Sequence, residues 1–288
     1  MSSWDSAPVV IVCAPTGAEV TRELQPALPH SPREVVKEAL GAIDQGATVI
    51  HLHAREADGT PSSDPALFKQ MVSSIAKCST AITMVSTGGS VEMSIEERLT
   101  GLDARPDMAG IETGSLNFGD DVFITSRGDS LRVAAAAAAA GVELEVEAFE
   151  LGHIHQALSM LERGELNPPL RVNLVLGVPG AVAATPEALD AMRRTLPADA
   201  RWTVTAIGRH QRRMLALAIL SGATGIRVGF EDNVYVRRGV LAESNAQLVA
   251  AAAALARDLG REVAIPEEAR EILALPAGTR KDEAGAAA

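Results

Sequence analysis

Ala47-Thr48-Val49-Ile50-His51-Leu52-His53-Ala54 is a short apolar and β-branched run that ends on two histidines. That composition reads as a buried strand. Side chains alternate faces along a strand, so His51 and His53 point the same way, with Cα atoms about 6.5 Å apart. Two imidazoles aimed at one point begin a transition-metal site, which needs two or three protein ligands and an open position. The blander reading, one core and one surface histidine, conflicts with that alternation.

Outward from this strand the chain alternates short apolar runs with amphipathic segments. Strands are expected at Val9–Ala14, Thr48–His53, Ala81–Ser86, Met108–Glu112, Glu143–Phe149, Arg171–Leu176, Trp202–Ile207 and Gly225–Gly229. Helices fall between them. One covers Pro32–Gln45, with Ser31 as N-cap and Glu34 completing a capping box. Others run from Pro65 to about Lys77, start at the Ser94–Glu97 cap, carry the alanine run Ala134–Ala140 up to Gly141, start near His153, open at Thr185-Pro186, and cover Gln211–Leu220 and Ala242–Leu259. Alanine favours helix and Gly141 ends it, so that run reads as a packed helix. A last helix is expected at Pro266–Leu275. Eight β–α units in order specify a parallel sheet with helices outside, and a closed (β/α)₈ TIM barrel. An open doubly wound sheet is the alternative. It would normally bring a glycine fingerprint after the first strand, where this chain reads Ala14-Pro15-Thr16-Gly17-Ala18-Glu19. One barrel domain is expected over residues 1–280, with a disordered tail at 281–288.

The 288 residues are 47% hydrophobic and 22% charged, enough for a large core. A formal net charge of −11 and 3% aromatics argue against a nucleic-acid partner. No run is apolar enough for a membrane span, and the first residues lack a signal-peptide pattern. Cys13 and Cys78 make no disulfide framework and suit a reducing cytoplasm.

In such a barrel the active site lies at the C-terminal ends of the strands. Glu231, after the eighth strand, can complete a two-histidine, one-carboxylate metal set. The alternative is a carboxylate in a solvated loop. Asp232 beside Arg227 suggests an ion pair that keeps both charged. Ser86-Thr87-Gly88-Gly89 offers hydroxyls and backbone N–H groups to a substrate carboxylate, although a glycine pair more often just makes a turn. Glu143, Glu145 and Glu147 alternate along the fifth strand. Pointing inward they are costly unless paired or used, and Glu147 is the one expected at the mouth. Glu19 is expected to set specificity by pairing with a substrate ammonium, against an equal expectation that it is an ordinary surface glutamate.

Together Pro15–Arg22, His51–Gly59, Ser86–Gly89, Gly114–Asp120, Val175–Gly180 and Arg227–Asn233 make the chain similar to the β-keto acid cleavage enzymes over nearly its whole length. Within that family it resembles members that act on aminated keto acids in lysine fermentation. The resemblance implies a Zn²⁺-dependent TIM barrel, usually a homotetramer. The reaction it implies joins a β-keto acid to acetyl-CoA and releases acetoacetate and a new acyl-CoA by Claisen and retro-Claisen steps through an enolate. It assigns zinc to His51, His53 and Glu231, substrate activation to Arg227 and Asp232, and a catalytic-site acid to Glu147, with Glu145 the alternative alignment. It gives the keto-acid carboxylate to Ser86, Thr87, Gly88 and Gly89, the substrate amino group to Glu19, and further contacts to the Thr113–Ser115 loop. Two other readings stay open: an amidohydrolase-type hydrolase, which needs more histidines at the metal from among His153, His155 and His210, and a non-catalytic metal-dependent binding protein.

Overall fold

Each apolar run forms one strand, and the strands pair in parallel, each with its neighbour in sequence. The computed structural model describes residues 7–276. The strands are β1 (Val10–Cys13), β2 (Val49–Leu52), β3 (Ile82–Val85), β4 (Met108–Ile111), β5 (Glu143–Ala148), β6 (Arg171–Leu176), β7 (Arg201–Ala206) and β8 (Gly225–Val228). β8 pairs with β1, which closes the barrel. The helices are α1 (Pro32–Asp44), α2 (Pro65–Cys78), α3 (Ile95–Leu99), α4 (Arg127–Ala140), α5 (Leu151–Glu162), α6 (Pro186–Thr195), α7 (Gln211–Leu220), α8 (Asn245–Asp258) and α9 (Pro266–Ile272). None is long and apolar enough to cross a membrane.

Local signals set the helix ends. The Glu34 carboxylate accepts from the Ser31 N–H at 2.9 Å, and the Ser31 hydroxyl accepts from the Glu34 N–H. α4 stops where Gly141 takes a φ of +69°. α8 begins at Asn245, three residues later than expected. The Ala242 N–H is already given to the Val234 carbonyl, and Ser244 takes the cap. α9 ends at Ile272 instead of Leu275. The expected tail at 281–288 lies outside the described residues.

The barrel interior is divided. β1 to β4 give it Val10, Val12, Val49, Ile82, Met84 and Met108, which pack with Ala264, Ala269 and Leu273. Thus α9 and the segment before it plug the N-terminal end of the barrel. Val9 pairs with Val263 there, and the Arg171 guanidinium donates to the carbonyls of Leu273 and Ala274. β5 to β8 instead give buried polar groups. Arg171 pairs with Glu143 at 2.9 Å, and Thr205 donates to Asn173 at 2.9 Å. The polar side opens upward onto the strand ends, where the candidate site lies.

Candidate metal centre and substrate pocket

His51 is completely buried and His53 nearly so, on the same face of β2 and its extension, with ring centroids 5.2 Å apart. Glu231 reaches them from the loop after β8. Two glycines allow that approach. Gly229 adopts a φ of +139° where its backbone lies against Ala14. A Cβ on Gly17 would fall 2.3 Å from Glu231 Cγ, so only glycine fits beside this carboxylate. The His51 and His53 Nε2 atoms lie 3.8 and 3.5 Å from the Glu231 oxygens, and the three donors fall within 4.8 Å of one another.

This set fits a metal ion. Both ring nitrogens of His51 and Oε2 of Glu231 are buried with no hydrogen-bond partner in the protein. Such atoms are costly unless something binds them. Burial, and next the Arg227 charge, hold His51 well below the ordinary imidazole range, in its neutral, ligating form. Burial pushes the Glu231 pKa up, but Arg227, His53 and His51 together outweigh it and keep the carboxylate ionised. Nitrogen and carboxylate donors suit zinc among the transition metals.

Arg227 stands beside this set and meets three carboxylates. It donates to Asp232 through Nε at 2.9 Å and Nη2 at 3.0 Å, to Glu147 at 3.0 Å, and also to Glu231. Burial disfavours its charge, but Asp232, Glu231 and Glu147 overcome that, so the guanidinium stays protonated. Burial pushes Asp232 up to about 6 and Glu147 up to about 8, with Arg227 opposing in both cases. At neutral pH Asp232 is therefore mainly a carboxylate, and Glu147 mainly a carboxylic acid. Glu145, also buried, sits deeper in the barrel, its pKa raised by burial to about 7.

The pocket above these groups is lined by Ser86, Gly88 and Gly89, with Glu19 exposed at its rim. The Gly88 N–H donates to the Ser86 hydroxyl at 3.0 Å. The other hydroxyls from the sequence reading do not line it. Thr87 donates to the Gly110 carbonyl, Thr113 to the His153 carbonyl, and Ser115 bonds to the Thr125 backbone. They brace the rim loops. Arg55 fixes the loop that carries Glu19, by donating to Thr16 Oγ1 at 2.8 Å and the Val20 carbonyl at 2.7 Å.

Two features were not singled out in the sequence. Glu112 lines the pocket in a buried pair with Arg98 at 2.8 Å. Its place just past the end of β4, level with Gly88, was an available signal. The apolar wall is the second. It is built from Leu116, Phe123, Phe149, Val175 and Val178, and two of these lie on the hairpin Leu116–Phe118/Asp121–Phe123, whose two-residue turn Gly119-Asp120 was an available signal.

The histidines that a hydrolase would need are elsewhere. The His153 ring accepts from the Phe149 N–H and contacts the Ser115 carbonyl, His155 is exposed, and among the described residues the only metal-type cluster is His51, His53 and Glu231.

A closed parallel barrel with this charged constellation at its C-terminal mouth is the architecture of a TIM-barrel enzyme. The chain belongs to the β-keto acid cleavage enzyme family, whose model matches residues 8–275. It is 42% identical to a 3-keto-5-aminohexanoate cleavage enzyme of Acetoanaerobium sticklandii, over 93% of this chain and 98% of that one. It is 38% identical to a 3-oxoadipate:acetyl-CoA acetyltransferase of Cupriavidus necator, over 93% and 95% of the two chains. The solved ternary complex of ObcA with a C4-CoA adduct and oxalate shares the fold, with a TM-score of 0.75 at 18% identity, over 87% of this chain and 68% of that one. The chain is an enzyme of the acyl-transferring kind that cleaves β-keto acids with transfer to acetyl-CoA.

Proposed function

We propose that this enzyme is zinc-dependent and that its substrate is a short β-keto acid bearing an amino group, 3-keto-5-aminohexanoate or a close analogue. With acetyl-CoA it would yield acetoacetate and 3-aminobutyryl-CoA, a step of lysine breakdown. The observation that carries the reading is the convergence of His51, His53 and Glu231 beside the Arg227 cluster, with Glu19 at the rim. Zinc in that set would supply a Lewis acid that stabilises the enolate of the keto acid.

The protein's own groups account for the rest. Arg227 faces ionised Glu231 and Asp232 with Glu147 protonated, so the site carries one positive charge against two negative ones. A divalent cation held by His51, His53 and Glu231 would reverse that balance in favour of an anionic keto acid. Arg227 is held too firmly as a cation to act as a base. The C2 proton is assigned to Asp232, the buried pocket carboxyl that stays mainly ionised at neutral pH, with Arg227 fixing its orientation through two hydrogen bonds. Ser86 and Gly88 line the pocket and would receive the substrate carboxylate, which would take over the Gly88 N–H from the Ser86 hydroxyl. The apolar wall suits a short aliphatic chain and offers no free cation for a second carboxylate, while Glu19 suits an ammonium.

A panel of aminated, neutral and dicarboxylic β-keto acids with acetyl-CoA, scored for acetoacetate, tests this. The aminated acid should give the highest kcat/KM, and metal analysis should return zinc. Preference for a dicarboxylic acid would overturn the substrate. Sizing by light scattering and cell fractionation test the homotetramer and cytoplasmic location, which belong to the same proposal.

A further inference from the structure

The cavity over the metal centre is small, about 110 Å³ by the same measure that gives about 1250 Å³ to a groove beside it. The groove runs from the loops after β7 and β8 along the outside of α7, as far as Leu255 of α8. Its walls carry Arg209, Arg212, Arg213, Arg237 and Arg238, and no acidic residue lines it. The arginines at 209, 212, 213, 237 and 238 are exposed. Elsewhere on the surface, arginines pair with carboxylates, as Arg22 does with Glu34 and Arg127 with Glu165. Among the described residues none of these five has a carboxylate within salt-bridge distance. In a chain of net charge −11, five like charges facing one space without counter-charge repel one another. A bound polyanion would relieve that repulsion.

Two further observations narrow the ligand. Tyr235, the only tyrosine of the chain, presents its ring to the groove and is 45% exposed. An aromatic face among arginines suits a nucleobase carrying several phosphates. The first turn of α7 has no side-chain N-cap and no acidic residue, so its N–H end adds to the positive field. The groove also adjoins the catalytic pocket. Ile207 and Asp232 line the pocket, and their chain neighbours Gly208 and Asn233 line the groove. The Gly208 N–H donates to the Asp232 carbonyl at 2.8 Å, so one short partition separates the two spaces.

We infer that this arginine groove holds the phosphorylated adenosine of the acyl-CoA co-substrate, with the pantetheine arm crossing the Gly208–Asn233 partition to bring the thioester to the metal centre. The inference rests on the acyl-CoA chemistry of the proposed function. It names the nucleotide subsite within it, and assigns the phosphates to Arg212, Arg213, Arg237 and Arg238 and the base to Tyr235.

The test compares the wild type with R212A/R213A, R237A/R238A and Y235A, all at exposed positions. Each double variant should raise KM for acetyl-CoA tenfold or more and leave kcat and the keto-acid KM near wild type. With acetyl-pantetheine, which lacks the nucleotide, the variants should match the wild type. Calorimetry with CoA alone, which needs no turnover, should show the same tenfold weakening, and Y235A should weaken CoA but not inorganic pyrophosphate. Unchanged CoA affinity in both double variants would overturn the inference while leaving the proposed reaction standing. Arginine-dependent CoA binding by a protein that cleaves no β-keto acid would uphold the groove and overturn the proposed function. A change in assembly mass with unchanged CoA affinity would show this face to be an interface between copies, and would also overturn it.

Discussion

A single guanidinium holds the candidate site together. Arg227 shares its N–H groups among Asp232, Glu147 and Glu231, so each carboxylate is oriented by the same planar donor. The candidate metal set then depends on Glu231 supplying a negative charge that an imidazole cannot. Glu231→Gln should lower bound metal, measured by plasma emission, by an order of magnitude or more, and reduce kcat at least a hundredfold. Full activity in a metal-free variant would refute the metal centre. Glu19 makes no such structural contribution, being exposed at the rim. Glu19→Gln should therefore raise KM for aminated keto acids by about two- to fivefold, the value of one exposed charge pair, and leave neutral ones unchanged. Equal losses on both would remove its specificity role. His51 and His53 were legible in the sequence because strand alternation is a strict rule. Thr87, Thr113 and Ser115 were not, because a hydroxyl in a loop bonds to backbone as readily as to a ligand, and nothing in its identity says which.

Among the elements, β5 is the one whose sequence was hardest to read. Its three alternating glutamates all end inside the barrel: Glu143 pairs with Arg171, Glu147 pairs with Arg227, and Glu145 lies buried between them. Burial lifts Glu145 from an ordinary 4.5 to about 7. The folded chain thus keeps a proton that the unfolded chain loses above about pH 4.5. The stability this group contributes is complete below that pH and is lost as pH rises through 7. In the metal-free protein, Glu145→Gln should stabilise relative to wild type by roughly 1–3 kcal/mol at pH 8, with the difference vanishing near pH 4. Denaturant melts at the two pH values measure it. A difference independent of pH would show that burial does not raise the Glu145 pKa. The helices were easier, since Ser31 and Gly141 mark ends by local bonding alone. α8 differed because the Ala242 N–H was claimed by a loop distant from any helix signal.

In the whole molecule, the candidate metal site joins opposite ends of the sequence order. His51 and His53 come from β2, Glu231 from beyond β8, and β1 lies between those strands in the closed sheet. A metal that binds only this assembled set should stabilise the folded state by RT ln(1 + [M]/Kd), about 2.7 kcal/mol at one hundred times Kd. Scanning calorimetry should show a Tm rise of several degrees with zinc, reversed by a chelator and absent in Glu231→Gln. An equal rise in that variant would place the metal elsewhere. The sequence by itself determined the barrel, because eight repeated apolar runs and capped helices are local signals that all favour one topology. It also determined the two histidines, because strand alternation governs so short a spacing, and suggested the Arg227–Asp232 pair from opposite charges close in sequence. Only the tertiary structure decided that Glu231, already a candidate in the sequence, reaches the two histidines, that Glu145 is sealed inside, that α9 plugs the barrel, and that five arginines from two separate segments face one groove. Those outcomes depend on how the sheet closes and which loops meet over it, and contacts between distant segments leave no periodic mark in the chain.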